Sequence, residues 1–119
     1  MSRLIDNTIW NERSFSKLSV YQKLLYIYLE TSPETNYYGV FKLPPDSVIE
    51  ARVGFPNVGE LLDELEKQEK IKIEGDYIIL IDYFQKQKGS FNEKHKSGLA
   101  KFLDTLPSKI NSLCIGYDI

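Results

Sequence analysis

Two sets of side chains in this sequence have the type and spacing to do chemistry. The first is cationic: Lys86, Lys88, Lys94, Lys96 and Lys101 lie between Phe84 and Phe102, with Glu93 the one acidic residue among them. Ammonium groups at that density, interleaved with rings, suit contact with phosphates; a solvated basic stretch is the alternative reading. The second set is anionic: Glu60, Asp63, Glu64, Glu66 and Glu69. Closely spaced carboxylates can hold a metal ion, but on a helix these mostly line the face opposite a leucine stripe, which describes a solvated surface better. The two sets divide the charge of the chain. Residues 1–59 are balanced at net 0, residues 60–82 carry net −5 and residues 83–119 net +3, against −2 for all 119 residues.

Catalytic constellations are missing from the sequence. It has no glycine-rich phosphate loop and no nucleophile motif, and its single histidine, His95, stands in the lysine-rich stretch with nothing nearby in sequence to orient it as a general base. One cysteine, Cys114, can neither close an internal disulfide nor complete a zinc site with one histidine. The expectation is a protein that is not an enzyme and takes no cofactor or metal, stabilised by packing alone. Eight tyrosines raise the aromatic share to 13%, and rings in so small a domain serve packing before base stacking.

These side chains need a scaffold, and the hydrophobic pattern supplies its outline. Tyr21, Leu24, Leu25 and Tyr28 recur at helical spacing and predict a helix from about Ser19 to Glu30 with those residues on one face. Ser19 and Gln22 form a capping box at its start, and Pro33 follows its end. Tyr38 to Leu43 reads as a short strand, stopped by Pro44 and Pro45. A short helix then runs from Pro45 to about Arg52, with Asp46 in its first turn and Gly54 as terminator. Asn57 and Glu60 predict a second capping box, opening a helix with Val58, Leu61, Leu62 and Leu65 on one stripe. Ile71 and Ile73 alternate with polar residues up to Gly75-Asp76, and Tyr77 to Ile81 follows, which makes a hairpin. Leu99, Phe102, Leu103 and Leu106 indicate a last helix that ends at Pro107 and starts at Ser90 or Ser97.

The longest uninterrupted apolar run is the six residues Leu24 to Leu29, where a membrane span needs about 20. The first residues also lack the apolar stretch of roughly 7 to 15 residues found in a secretory signal. A soluble, cytoplasmic protein with no membrane partner is expected. The element order is helix, strand, helix, helix, strand, strand, helix. Two helices at an angle, followed by a hairpin that pairs with the earlier strand, make an α+β winged helix-turn-helix with about four helices and a three-stranded antiparallel sheet. A single domain over residues 1–119 is expected, its core at about 5–82 and the basic stretch and helix at about 83–110.

In such a fold the second helix of the unit enters the major groove of DNA. Here that helix carries Glu60, Asp63, Glu64, Glu66 and Glu69, relieved by Lys67 and Lys70. Either DNA meets another face, formed by the wing Lys72 and the lysines from Lys86 to Lys101 with Asn57 and Lys67 as groove contacts, or the scaffold binds protein.

The sequence resembles a known family. TSPETNYYGVFKLPPDSV, from Thr31 to Val48, resembles the signature T-x-P-x-T-N-x-x-G-x-(Y/F) of the N-terminal winged-helix domain of phage and prophage replication initiators, the DnaD-like replisome organisers. The opening IDNTIWNERSFSKLSVYQKLLYIYL, the block VGELLDELEKQEKIKIEGDYIIL and the closing YFQKQKGSFNEKHKSGLAKFLDTLP are similar to further parts of that family's pattern, so that the likeness spans roughly residues 3 to 110. Thr35, Asn36 and Gly39 are its most specific residues, and they are types that hold turns and close backbone approaches. The resemblance implies a phage DNA replication protein that binds origin DNA or a primosomal partner, helps deliver the host helicase or its loader, and forms homo-oligomers.

Three functions are compatible with these residues. In the first, the chain binds DNA through Lys72, Lys86, Lys88, Lys94, Lys96 and Lys101, with Asn57 and Lys67 at the groove, and associates with itself or with replication proteins. In the second, it is a protein-interaction or phage inhibitory module that does not bind DNA and docks a basic partner, or mimics DNA, through Glu60, Asp63, Glu66 and Glu69. In the third it is a transcriptional regulator, a class that normally shows a more basic reading helix and a clear dimer element.

Overall fold

The computed structural model describes residues 9–10, 12–36, 38–81, 83, 98 and 101–116. Ser19 opens the first long helix as its pattern requires. Its hydroxyl accepts from the Gln22 amide at 3.2 Å while the Gln22 side chain accepts from the Ser19 amide at 3.0 Å, so two first-turn donors are satisfied reciprocally. This helix, α2 (Val20–Thr31), follows a short helix α1 (Arg13–Ser16) that the periodicity did not indicate. Strand β1 (Val40–Lys42) leads to α3 (Asp46–Val53), which ends on Gly54 at φ 85, a left-handed cap that glycine adopts without steric cost. Helix α4 (Val58–Lys67) completes the helix-turn-helix unit. Then come β2 (Ile71–Glu74), β3 (Tyr77–Leu80) and a final helix α5 (Ser108–Gly116). Residues 101–104 are also helical and stop ahead of Pro107, as expected. The start of that helix, at Ser90 or Ser97, lies outside the described residues.

The three strands form one antiparallel sheet in the order β1-β3-β2, with Val40 opposite Ile79 and Ile73 opposite Ile78. Gly75, at φ 58, takes the first place of the two-residue hairpin loop, where a type II′ turn requires a positive φ. Strand alternation gives the sheet two faces. Phe41, Ile71, Ile78 and Leu80 join Phe15, Leu25, Tyr26, Leu29, Ile49, Val58, Leu62 and Leu65 in the main core. Val40 and Ile79, on the other face, are covered by Leu106, Ile110 and Cys114. The described chain is thus an α+β winged-helix layout, as expected, with five helices besides the helical residues 101–104 and a three-stranded antiparallel sheet. Helix α5 was not expected from the sequence pattern, and it seals the outer face of the sheet. Burial there pushes the Cys114 thiol up to about 11.

Two local expectations are corrected. On α2 the buried line is Gln22, Leu25, Tyr26, Leu29 and Glu30, whereas Tyr21 and Leu24 are 56% and 50% exposed. The helix is apolar over most of its circumference, and the capping box turns Gln22 inward, where its amide reaches Glu64 of α4 at 2.5 Å. That contact accompanies the burial of Leu25, Tyr26 and Leu29, which sets the rotation of the helix. At the other site, Asn57 occupies the cap position of α4 but is left-handed at φ 64 and makes no side-chain cap bond. Glu50 of α3 caps α4 instead, accepting from the Val58 amide at 3.2 Å.

The connection from α2 to β1 is built by the Thr-Asn-x-x-Gly residues. Buried Thr35 donates its hydroxyl to the Leu29 carbonyl and lies 2.7 Å from the Ser32 hydroxyl. Asn36 accepts from the amides of Tyr38 and Val40 at 3.0 and 3.3 Å and donates to the Val40 carbonyl at 2.6 Å. Gly39, at φ 73, brings its backbone against the fully buried ring of Tyr83.

Candidate functional site

The reading-helix position is anionic in three dimensions as well as in sequence. Glu60 and Asp63 are exposed on α4, beside exposed Glu64 and Lys67. Two of the carboxylates also have structural work. Glu64 accepts from Gln22, and Glu66 accepts from the Ile73 amide of β2 at 2.7 Å. Glu66 is therefore half-buried against the hairpin, and Glu69, at φ 60, forms the left-handed bend that leads from α4 to β2.

Two of the six lysines predicted to meet phosphates are described. The register places Lys72 opposite Ile79, hence on the outer face of the sheet, while its Nζ stands 3.9 Å from Glu66 around the edge of β2. Lys101 is exposed on the helical turn whose neighbours Phe102 and Leu103 pack against the outer-face cluster. Lys101 thus belongs to the outer side of the sheet, whereas Lys72 is rooted on that side and turns its ammonium around the β2 edge to the Glu66 carboxylate of α4. Lys86, Lys88, Lys94, Lys96 and His95 lie outside the described residues. Asn57 and Lys67, the groove candidates, stand exposed at the two ends of α4.

Lys109 carries no signal in the sequence pattern that would single it out. It lies on α5, 2.6 Å from Glu74 at the end of β2, and holds that carboxyl below its ordinary range. Arg52 does the same for Glu34 through a bidentate contact at 2.7 and 2.9 Å and also donates to the Tyr28 hydroxyl at 2.9 Å. A carboxyl whose folded pKa is depressed stabilises the fold above its unfolded pKa, near 4.5, and that stability is lost as pH falls through the folded value. Both pairs are solvent-exposed, so the effect is small. Arg52→Ala should lower Tm slightly at pH 7 and by a shrinking amount as the pH drops below about 4.5. Melting curves across pH 7 to 3 check this, and a constant difference would refute it.

A groove of about 270 Å³ opens between the start of α2, the α3–α4 turn and the start of α4, lined by Tyr21, Phe55, Pro56, Asn57, Glu60, Leu61 and Glu64. The Tyr21 and Phe55 rings meet with centroids 4.9 Å apart at 51°. Val20, 69% exposed, and Leu24, 50% exposed, extend this apolar surface along α2. The sequence pattern does contain the signal, a helix with more apolar residues than one buried face can use, but periodicity assigned Tyr21 and Leu24 to the core. A second hollow, of about 240 Å³, lies between the hairpin loop and α5.

Among the described residues no group of acidic, histidine or cysteine side chains is placed to hold a metal ion, and no helix is long and apolar enough to cross a membrane. No protein-family model matches the chain, and neither does any curated protein or solved structure.

Proposed function

We propose that this chain is a non-enzymatic winged-helix module of phage-type DNA replication initiation. In this reading it contacts duplex phosphates from the outer side of its sheet and engages replication proteins, among them a helicase or helicase loader, from the side of α2 and α4. The observation that carries the reading is the separation of charge about the sheet. Carboxylates occupy the reading-helix position, whereas Lys101 stands on the outer side of the sheet and Lys72 is rooted there, its ammonium at the β2 edge 3.9 Å from Glu66. The resemblance to replisome organisers adds support, because Thr35, Asn36 and Gly39 perform the turn-holding roles that their types suggest.

Titration of a labelled duplex at several salt concentrations tests it. With about 4 to 6 phosphate contacts, log K should fall against log salt with a slope near −4 to −5. Alanine at Lys86, Lys88, Lys94 and Lys96 together should bring the slope close to −1, while Glu60→Gln with Asp63→Asn should leave it nearly unchanged. Absence of binding at low salt, or a slope insensitive to the lysine replacements, overturns the DNA half of the proposal.

The acidic face of α4 favours a second reading, a protein-interaction or inhibitory module without DNA affinity. A basic protein partner would then be lost on charge reversal at Glu60 and Asp63. Glu66 does not suit that test, because its carboxylate holds the Ile73 amide of the hairpin.

A further inference from the structure

We propose that the groove between α2 and the first turns of α4 is a docking site for a cationic amphipathic helix of a partner protein; the inference rests on the protein-engaging half of the function proposed above and names the class of partner. Val20, Tyr21 and Leu24 form three of the five exposed large apolar side chains among the described residues, and they share one face of α2. A contiguous apolar surface of this kind on a small domain marks a contact site. The hollow beside it, about 270 Å³, is below the range of small-molecule sites and fits one or two inserted side chains.

Charge selects the occupant. Glu60 and Glu64 line the hollow on its α4 side, directly beside the Tyr21–Phe55 pair. A nucleic acid would bring phosphates against these carboxylates. A second copy docked by two-fold symmetry would bring its own Glu60 and Glu64 against them, a like-charge approach that works against self-association through this face. A helix with leucine-like anchors on one side and lysine or arginine along its margin meets both requirements at once. The anchor covers Tyr21, Leu24 and Phe55, and the cations reach Glu60 and Glu64.

The test uses the full chain and a labelled synthetic helix with leucine on one face and lysine on the other. Two control helices replace every lysine by glutamate or every leucine by serine. Binding of the leucine–lysine helix alone is expected, with amide shift changes confined to residues 20–24 and 55–64. Leu24→Ser and Glu60→Lys, both at exposed positions, should each weaken it by at least about tenfold while leaving the circular dichroism unchanged. Equal binding of either control helix, or indifference to both variants, overturns the proposal. So does a concentration-dependent dimer that Leu24→Ser abolishes, which would make a second copy the occupant. Failure of the DNA reading is separable from this result. Both variants should keep the wild-type salt slope on duplex DNA, so loss of duplex binding with helix binding intact removes only the DNA contact.

Discussion

Gly39→Ala is expected to lower the stability of the domain by about 3 kcal/mol and Tm by roughly 10 to 20 °C. Two costs combine at this residue. Its φ of 73 is left-handed, which any side chain makes unfavourable by about 1–2 kcal/mol. A Cβ there would also stand 2.8 Å from Tyr83 Cδ1, 3.0 Å from its Cβ and 3.1 Å from its Cγ. Tyr83 is fully buried, so the ring has nowhere to move, and forced overpacking costs roughly 1–3 kcal/mol. Gly54 provides the control. Its φ is 85 but nothing lies within 4 Å of the point a Cβ would occupy, so Gly54→Ala should show the backbone cost alone. Urea and thermal denaturation of the two variants decide the matter; equal losses would mean that Tyr83 yields.

Asn36→Ala should cost about 2–3 kcal/mol, because it removes three hydrogen bonds at the entrance to β1, each worth about 1 kcal/mol. Asn36→Asp separates the contributions. It retains an oxygen for the amides of Tyr38 and Val40 but loses the donor and sets a carboxylate against the Val40 carbonyl. Its loss at pH 7 should exceed its loss at pH 3, where the protonated carboxyl donates again, when each is referred to the wild type at the same pH. The same denaturation series measures this. A pH-independent deficit in Asn36→Asp would exclude a donor role for the native side chain.

Much of the fold was legible because its signals are local. The Ser19–Gln22 box, the Gly54 terminator and the Gly75-Asp76 loop are set by the needs of a few adjacent backbone groups, and the structure places each where the pattern required. The misread features depend on partners distant in sequence. Asn57 makes no side-chain cap bond because its backbone is left-handed, at φ 64, where a capping residue needs an extended one, and Glu50 from the preceding helix serves the Val58 amide. The rotation of α2 follows from Leu25, Tyr26 and Leu29 packing into a core shared with α3, α4 and the sheet, and Gln22 meets Glu64, 42 residues away, as part of the same arrangement. Helix α5 has weak amphipathic spacing in Ile110, Leu113 and Cys114, and its reason to exist is the exposed outer face of a sheet assembled elsewhere. The candidate site divides in the same way. The anionic face of α4 is a property of consecutive residues, whereas the apolar groove requires α2 and the α3–α4 turn to meet.

The double cover of the sheet bears on how the polypeptide matures. During synthesis the hairpin can pair with β1 once residue 80 has emerged, yet Leu106, Ile110 and Cys114 are made later. Through that interval Val40 and Ile79 present a bare apolar strip on paired strands whose outer edges, at β1 and β2, are still open to a neighbouring nascent chain.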